Sequence, residues 1–364
     1  MQVRVPRIIR DALDRNPDYS AGIKEALSGL ASEIEGDFPL PLPRPPAPDV
    51  EAWTSAHDEH VGESWLDAEW FHAELAVYRE IAWRCRFWET ERDPFAPAKE
   101  EELASDRLWT RLGATLSSTA TRDERVNALL EASLWGNRVD LSYSVAAARE
   151  HREEGDLLAD DRALALPFLL RPDAMVHYVA DNTGTELAID LALVDALLED
   201  PETRVVLHVK MQPVFVSDAI TPDVWRMLAA MRDRGGDARA LSDRLHAAFD
   251  AKRLVVAPDP YWSGPRFLWD APQHIAKMLG KATIVVLKGD ANYRRLVGDA
   301  IWPPSAPFAR AASYMGVPLV CARTMKSDSV LGLPEGLAEK LDAGDAAKTW
   351  RIDGQRGVVQ AYVG

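Results

Sequence analysis

The stretch Met175-Val-His-Tyr-Val179-Ala180-Asp181-Asn182-Thr183-Gly184-Thr185-Glu186 decides the fold. Residues 175–179 are an apolar, alternating run that reads as a strand. Residues 187–198 carry a helical pattern. Asp181, Asn182 and Glu186 therefore sit at a strand-to-helix turn. In open α/β sheets ligands bind at the carboxyl ends of strands. Packing a core requires no Asp-Asn pair at such a point, so the pair reads as an oxygen-rich metal site. A helix N-cap explains it about as well, because Thr183 and Glu186 fit a capping box.

Outward from this turn the strand–helix pattern repeats. Beyond about residue 171, β-rich runs at 176–180, 204–209, 254–257, 283–287, 318–322 and 357–363 alternate with helical ones. The helical runs cover 185–198, 222–234, 239–251, 267–279, 293–299, 306–315 and 335–341. Such alternation implies a three-layer α/β/α sandwich around a largely parallel sheet. His177 and His208 fall inside strands and read as satisfied interior histidines.

Upstream the chain reads as helical, with helices expected over 3–13, 23–34, 103–116 and 125–134. The expected division is an all-helical domain at 1–150 and an α/β/α domain at 151–364. The Pro-Leu-Pro-Leu-Pro-Arg-Pro-Pro-Ala-Pro segment, residues 39–48, should be an extended connector. Phe71, Leu75, Tyr78, Ile81, Cys85 and Trp88 recur at helical spacing and read as core. His57-Asp-Glu-His60 has the look of a metal clip but lies in a polar stretch. Ser133-Leu-Trp-Gly136-Asn137-Arg-Val-Asp140 is either an ordinary helix end or a source of site residues, through Asn137 and Asp140.

The net charge of −15 argues against nucleic acid or an acidic membrane surface as partner. A small anion held by local cations remains compatible with it. Two cysteines cannot build a thiolate cluster or a disulfide framework, so a cytoplasmic setting is expected. No apolar run reaches the roughly 18 residues of a membrane helix.

The strand ends collect the chemistry. They carry Asp181-Asn182, Ser217-Asp218, Asp259, Lys288-Gly289-Asp290-Ala291-Asn292-Tyr293-Arg294 and Arg323-Thr324-Met325-Lys326. Aspartate and asparagine oxygens suit Mg²⁺ or Mn²⁺. Lys288, Arg294, Arg323 and Lys326 suit a phosphate. Metal, cations and carboxylates together read as phosphoryl transfer to water. Rival chemistries leave no mark: Met278-Leu-Gly280-Lys281-Ala282 is no phosphate-binding P-loop, and Asn182-Thr-Gly184-Thr is no dinucleotide fingerprint. Neither an Asp-x-Asp pair nor a Gly-x-Ser-x-Gly elbow is present.

These motifs resemble the metal-dependent damage-control phosphatases, in particular subfamily III, also described as protein-glutamate O-methyltransferase-like. The similar segments are Glu131–Ser142, Asp181-Asn182-x-Gly184-x-Glu186, Phe215-Val-Ser-Asp218, Lys288-Gly-Asp290-x-Asn292-Tyr293-Arg294 and Arg323-Thr324-x-Lys326. The resemblance implies a helical domain followed by an α/β/α sandwich. It implies a divalent metal (Mn²⁺, Co²⁺, Ni²⁺ or Mg²⁺) held by Asp181, Asn182 and Asp218. Substrate contacts fall to Glu186, the loop Asp290–Arg294 with Asn292 and Tyr293, and Lys326. Implied substrates are small phosphomonoesters such as fructose-1-phosphate.

The expected function is a metal-dependent phosphatase acting on a small phosphorylated metabolite. Asp181, Asp218 and Lys326 are its expected catalytic residues, and Asn137 is a further expected substrate contact. Either Asp218 or Glu186 could position the attacking water. Two rival readings are an S-adenosylmethionine-dependent carboxyl methyltransferase, against which the missing glycine-rich turn counts, and a non-catalytic sugar-phosphate-binding module.

Overall fold

The computed structural model describes residues 1–117, 120–136 and 156–364. By compactness the chain forms two units. One comprises Met1–Glu102 with the returning segments Val209–Thr221 and Pro258–Arg266; the other comprises Leu103–His208, Pro222–Ala257 and Phe267–Gly364. Composition shifts near residue 150, whereas compactness divides the chain at 102.

The first unit is built on the helix Trp70–Arg84, whose residues 71–82 are all buried. A helix buried on every side belongs in a core, even though this one carries His72, Glu74, Arg79 and Glu80. Phe71, Leu75, Tyr78, Ile81 and Cys85 form the expected buried stripe. The charged residues within it are paired, as burial demands. Arg79 donates to Asp49 Oδ1 at 3.0 Å, and Glu80 accepts from Arg44 at 2.6 Å. The proline segment is a strap without helix or regular strand. It is fastened by Trp83 Nε1 donating to Pro45 O at 2.8 Å and by Arg44 stacked 3.8 Å over the Trp83 ring.

His57 is buried at a helix end, with Nδ1 3.2 Å from Nε2 of buried His72. His60 instead contacts Glu63 at 2.7 Å. Among the described residues no group of three or more His, Cys, Asp or Glu side chains forms a metal cage.

The second unit holds a seven-stranded, mostly parallel sheet with flanking helices, an α/β/α sandwich. Its strands are β1 (Leu157–Asp160), β2 (Met175–Val179), β3 (Arg204–Lys210), β4 (Leu254–Asp259), β5 (Ile284–Lys288), β6 (Leu319–Thr324) and β7 (Gly357–Tyr362). Their order is β1-β7-β6-β5-β2-β3-β4. Strand β7 runs antiparallel to β6 and parallel to β1. β5 and β6 are buried throughout, as expected for strands covered on both faces. The helix Gly184–Leu197 is also buried on nearly every side and packs on the helices Asp106–Leu116 and Arg122–Leu134.

Four details differ from the sequence expectation. β1 was not anticipated, because four residues are too few for a periodic signal. Pro272 stands before the helix Gln273–Leu279, and only a short 3₁₀ turn, Leu268–Asp270, precedes it. The run at 306–315 is a single turn, Ala309–Ala312, followed by a 3₁₀ turn. The segment after Lys288 is the helix Gly289–Val297 rather than a loop.

His177 and His208 lie on neighbouring strands, with Nδ1 and Nε2 2.9 Å apart and rings stacked at 5.2 Å. They satisfy each other. Burial pulls their pKa values down, to about 4 for His177 and about 3 for His208.

Candidate active site at the ends of the central strands

Parallel pairing brings the ends of β2, β5 and β6 to one edge. Val179 pairs with Leu287, and Lys288 pairs with Ala322. The turn after β2 therefore lies beside the start of the helix after β5.

Asp181, Asn182 and Glu186 are nearly buried within this turn. Asn182 Nδ2 donates to Asp181 Oδ2 at 2.6 Å and to Glu186 Oε2 at 3.0 Å. Gly184 has φ +67, a left-handed conformation that glycine adopts without steric cost. The expected capping box is absent, since the Thr183 side chain makes no cap hydrogen bond. Its physical reason is competition. Glu186 Oε1 accepts from the Lys288 ammonium at 2.7 Å, a charge-assisted bond stronger than one to a backbone N–H.

Gly289 forms a cradle for Asp181. A Cβ at this position would lie 2.0 Å from Asp181 Cγ and Oδ2 and 2.3 Å from Oδ1. Its φ of +82 starts the next helix directly at the strand end. Asp290 then occupies the first turn, where a carboxylate suits the positive end of the helix dipole. Gly136 plays a similar part on the other side: a Cβ there would lie 2.6 Å from Glu186 Cα.

Of the four cations expected to meet a phosphate, three are engaged inside the protein. Lys288 is wholly buried and contacts Glu186 at 2.7 Å, Ser133 O at 2.9 Å and Asp190 at 3.4 Å. Burial alone would pull its pKa down, but the charges of Asp190 and Glu186 outweigh it and hold it above the usual lysine value. Arg294 forks onto Asp299 at 2.6 and 2.9 Å. Arg323 donates to Asp290 at 2.7 Å and stacks 3.8 Å over the Tyr293 ring. Lys326 is exposed, and its ammonium joins no ion pair among the described residues. Its backbone N–H donates to Asp290 Oδ1 at 3.2 Å, an oxygen that also takes Ser327 Oγ at 3.0 Å. Asp290 thus gathers the turn that carries Lys326.

Asn292 is wholly buried and donates to Lys288 O at 2.7 Å and Ala180 O at 3.2 Å, tying the two strand ends together. The hydroxyl of buried Tyr293 donates to Gln360 Oε1 at 2.9 Å. Both side chains build the edge from within.

Asp218 belongs to the segment Val209–Thr221 of the first unit. It is buried, with Oδ2 3.3 Å from Lys210 Nζ, and its carbonyl accepts from Lys99 Nζ at 3.0 Å. Phe215 and Val216 just before it have φ of +50 and +71. A β-branched residue rarely adopts such a φ, so this turn stores strain close to Asp218. Asn137 and Asp140 lie outside the described residues.

Sequence reasoning missed Gly289, Gly136, Asp190 and Tyr178. Asp190 carried a signal: a carboxylate one turn beyond Glu186, at a wholly buried position of a largely apolar helix. Burial pushes its pKa up to about 7 against the opposing charge of Lys288.

The model of the damage-control phosphatase ARMT1-like domain matches residues 1–341. Damage-control phosphatase ARMT1 of Mus musculus is 30% identical over 379 residues, covering 92% of this chain and 85% of the relative. The Rattus norvegicus protein of that name is 29% identical with the same coverage, and the Danio rerio protein is 28% identical, covering 98% and 92%. A solved DUF89 family protein from Pyrococcus horikoshii aligns with TM-score 0.48 and 13% identity, covering 94% of this chain and 95% of its own. The chain belongs to the ARMT1-like damage-control phosphatase family.

Proposed function

We propose that this protein is a divalent-metal-dependent phosphatase that hydrolyses small phosphomonoesters, sugar phosphates such as fructose-1-phosphate among them. The family match over residues 1–341 carries this reading. The donor chemistry supports it: Asp181, Asn182 and Asp218 offer two carboxylates and an amide oxygen, hard ligands suited to Mn²⁺, Mg²⁺, Co²⁺ or Ni²⁺. The Gly289 cradle, which a single Cβ would fill, fixes the Asp181 carboxylate for such a role.

In this reading Asp181, Asn182 and Asp218 hold the ion. Once bound, the ion supplies Lewis-acid polarisation of the phosphoryl group and a more acidic water. Lys326 binds the phosphate as a point charge, and Asp290 and Arg323 hold its turn. Glu186 or Asp218 positions the water. Buried, unbridged Cys85 and Cys321 support a cytoplasmic setting. A charge of −15 supports a small metabolite, rather than nucleic acid or membrane, as partner. Among the described residues no helix is long and apolar enough to cross a membrane.

The test is turnover of p-nitrophenyl phosphate with Mn²⁺, before and after chelation, followed by phosphate release from a panel of sugar phosphates. Chelation is expected to abolish turnover and re-added Mn²⁺ to restore it; turnover that survives chelation would overturn the metal role. Lys326→Ala is expected to raise KM about tenfold, the worth of one charge-assisted contact, with a smaller change in kcat. An unchanged KM would remove Lys326 from the substrate site.

A further inference from the structure

Behind the Asp181–Glu186 turn lies a buried polar chain that the proposed reaction does not use. Lys288 and Asp190 are both wholly buried. The Lys288 ammonium has three N–H donors and faces three acceptors: Glu186 Oε1 at 2.7 Å, Ser133 O at 2.9 Å and Asp190 Oδ1 at 3.4 Å. The same Asp190 oxygen accepts from the Tyr178 hydroxyl at 2.6 Å. Asp190 therefore holds Lys288 from behind, and Tyr178 holds Asp190.

This arrangement reaches the turn through Glu186. Because Lys288 occupies Oε1, Oε2 is the oxygen that accepts from Asn182 Nδ2 at 3.0 Å. The second amide donor bond goes to Asp181 Oδ2 at 2.6 Å. An amide whose two N–H groups meet two carboxylates is set in one orientation. Turning it over would put the amide oxygen against both negative charges in a nearly dry setting. The amide oxygen is thus the atom turned away from the carboxylates. Without the ammonium, Glu186 Oε1 loses its 2.7 Å donor, and the carboxylate can swing away from Asn182.

We propose that Lys288 and Asp190 are positioning residues that fix Glu186 and thereby hold the Asn182 amide with its oxygen, not its nitrogen, toward a bound cation. The proposal rests on the metal-site reading above. It also separates Lys288 from phosphate binding: a lysine spent on three internal acceptors acts on the orientation of a ligand residue.

The experiment uses the full chain, with Mn²⁺ alone as probe and Asn-selective ¹⁵N labelling. In wild type, the Asn182 side-chain NH₂ signal, identified by its loss in Asn182→Ala, is expected to exchange slowly with solvent. Lys288→Met is expected to make that exchange fast and to weaken Mn²⁺ binding at least tenfold by electron paramagnetic resonance. Turnover of p-nitrophenyl phosphate should fall through kcat more than KM. Should Lys288→Met fail to fold, Asp190→Asn and Tyr178→Phe preserve the buried volume. Both are expected to weaken Mn²⁺ binding severalfold and speed the exchange. Folded variants with wild-type Mn²⁺ affinity and a slowly exchanging amide would overturn the proposal. A wild type that neither binds Mn²⁺ nor releases phosphate ends the functional reading. The exchange comparison still decides whether Lys288 sets the amide, and fast exchange in wild type would refute it.

Discussion

Gly289→Ala is expected to lower turnover about 100-fold or more while leaving the circular dichroism spectrum unchanged. The added methyl meets two obstacles. It places an L-residue at φ +82, a conformation that costs on the order of 1–3 kcal/mol. It also lies 2.0 Å from the Asp181 carboxylate, which must move by more than an ångström to escape. A displacement of about 1 Å in a reacting constellation is enough for about a 100-fold loss. Gly298→Ala is the matched control. It has φ +83, but its methyl would meet the far ring atoms of Trp269, a side chain 56% exposed and able to swing aside. That variant is expected to lower the melting temperature and keep turnover. Wild-type turnover in Gly289→Ala, or an equal loss in Gly298→Ala, would show that Asp181 is not held in this way.

Stability is expected to fall between pH 7 and pH 5, because three buried histidines together outweigh Asp190, whose raised pKa of about 7 favours the folded state as pH falls. His72, His177 and His208 are buried, and burial pulls their pKa values down, to about 3, 4 and 3 respectively. His57 and His60 lower His72 further, and His177 does the same for His208. In the unfolded chain each histidine titrates near 6.5. Below that pH the unfolded state binds more protons than the folded state, so stability declines as pH falls. The contribution is fully present above about pH 6.5 and is lost progressively toward pH 4 and below. Each histidine removes about 2 kcal/mol between pH 7 and 5, because one pKa unit is worth about 1.4 kcal/mol. Urea titrations at the two pH values read the effect directly. His208→Gln, which cannot take up a proton, should remove about a third of the histidine contribution to the pH dependence. A midpoint that stays constant from pH 7 to 5 would refute the account.

The central strands were legible in the sequence because a parallel strand buried on both faces leaves an unbroken apolar run. Val285 to Leu287 and Leu319 to Ala322 are such runs. β1 was not legible, because four residues held by a distant partner leave no periodic trace. The clustering of residues 209–221 and 258–266 with the first hundred was equally hidden, since composition does not record which segments pack together.

At the site, Asp181 and Asn182 stood out because polar oxygens at a strand end need a reason. The Thr183–Glu186 pattern misled because a local cap competes with a lysine 102 positions away, and the lysine wins. Lys288, Arg294 and Arg323 read as phosphate ligands because sequence shows a charge but not its counter-charge. Asp190, Asp299 and Asp290 supply those counter-charges. The role of Gly289 left no trace in the sequence, since it lies in the room left for a carboxylate 108 positions earlier, which a Cβ at 289 would meet at 2.0 Å.

The antiparallel strand β7 has a consequence for how the sheet is assembled. Among the described residues it alone joins β1 to the rest of the sheet, and the contact between Asp161 and Ala361 that continues this pairing spans 200 positions. Closing so large a loop costs entropy before any hydrogen bond is gained, and such distant pairings slow folding. As the chain leaves the ribosome, β6 must wait with one row of amides and carbonyls uncovered until residues 357–362 arrive. An uncovered apolar strand is a template for other chains. The interval before β7 docks is therefore when a nascent molecule of this protein is most exposed to aggregation and most in need of a chaperone.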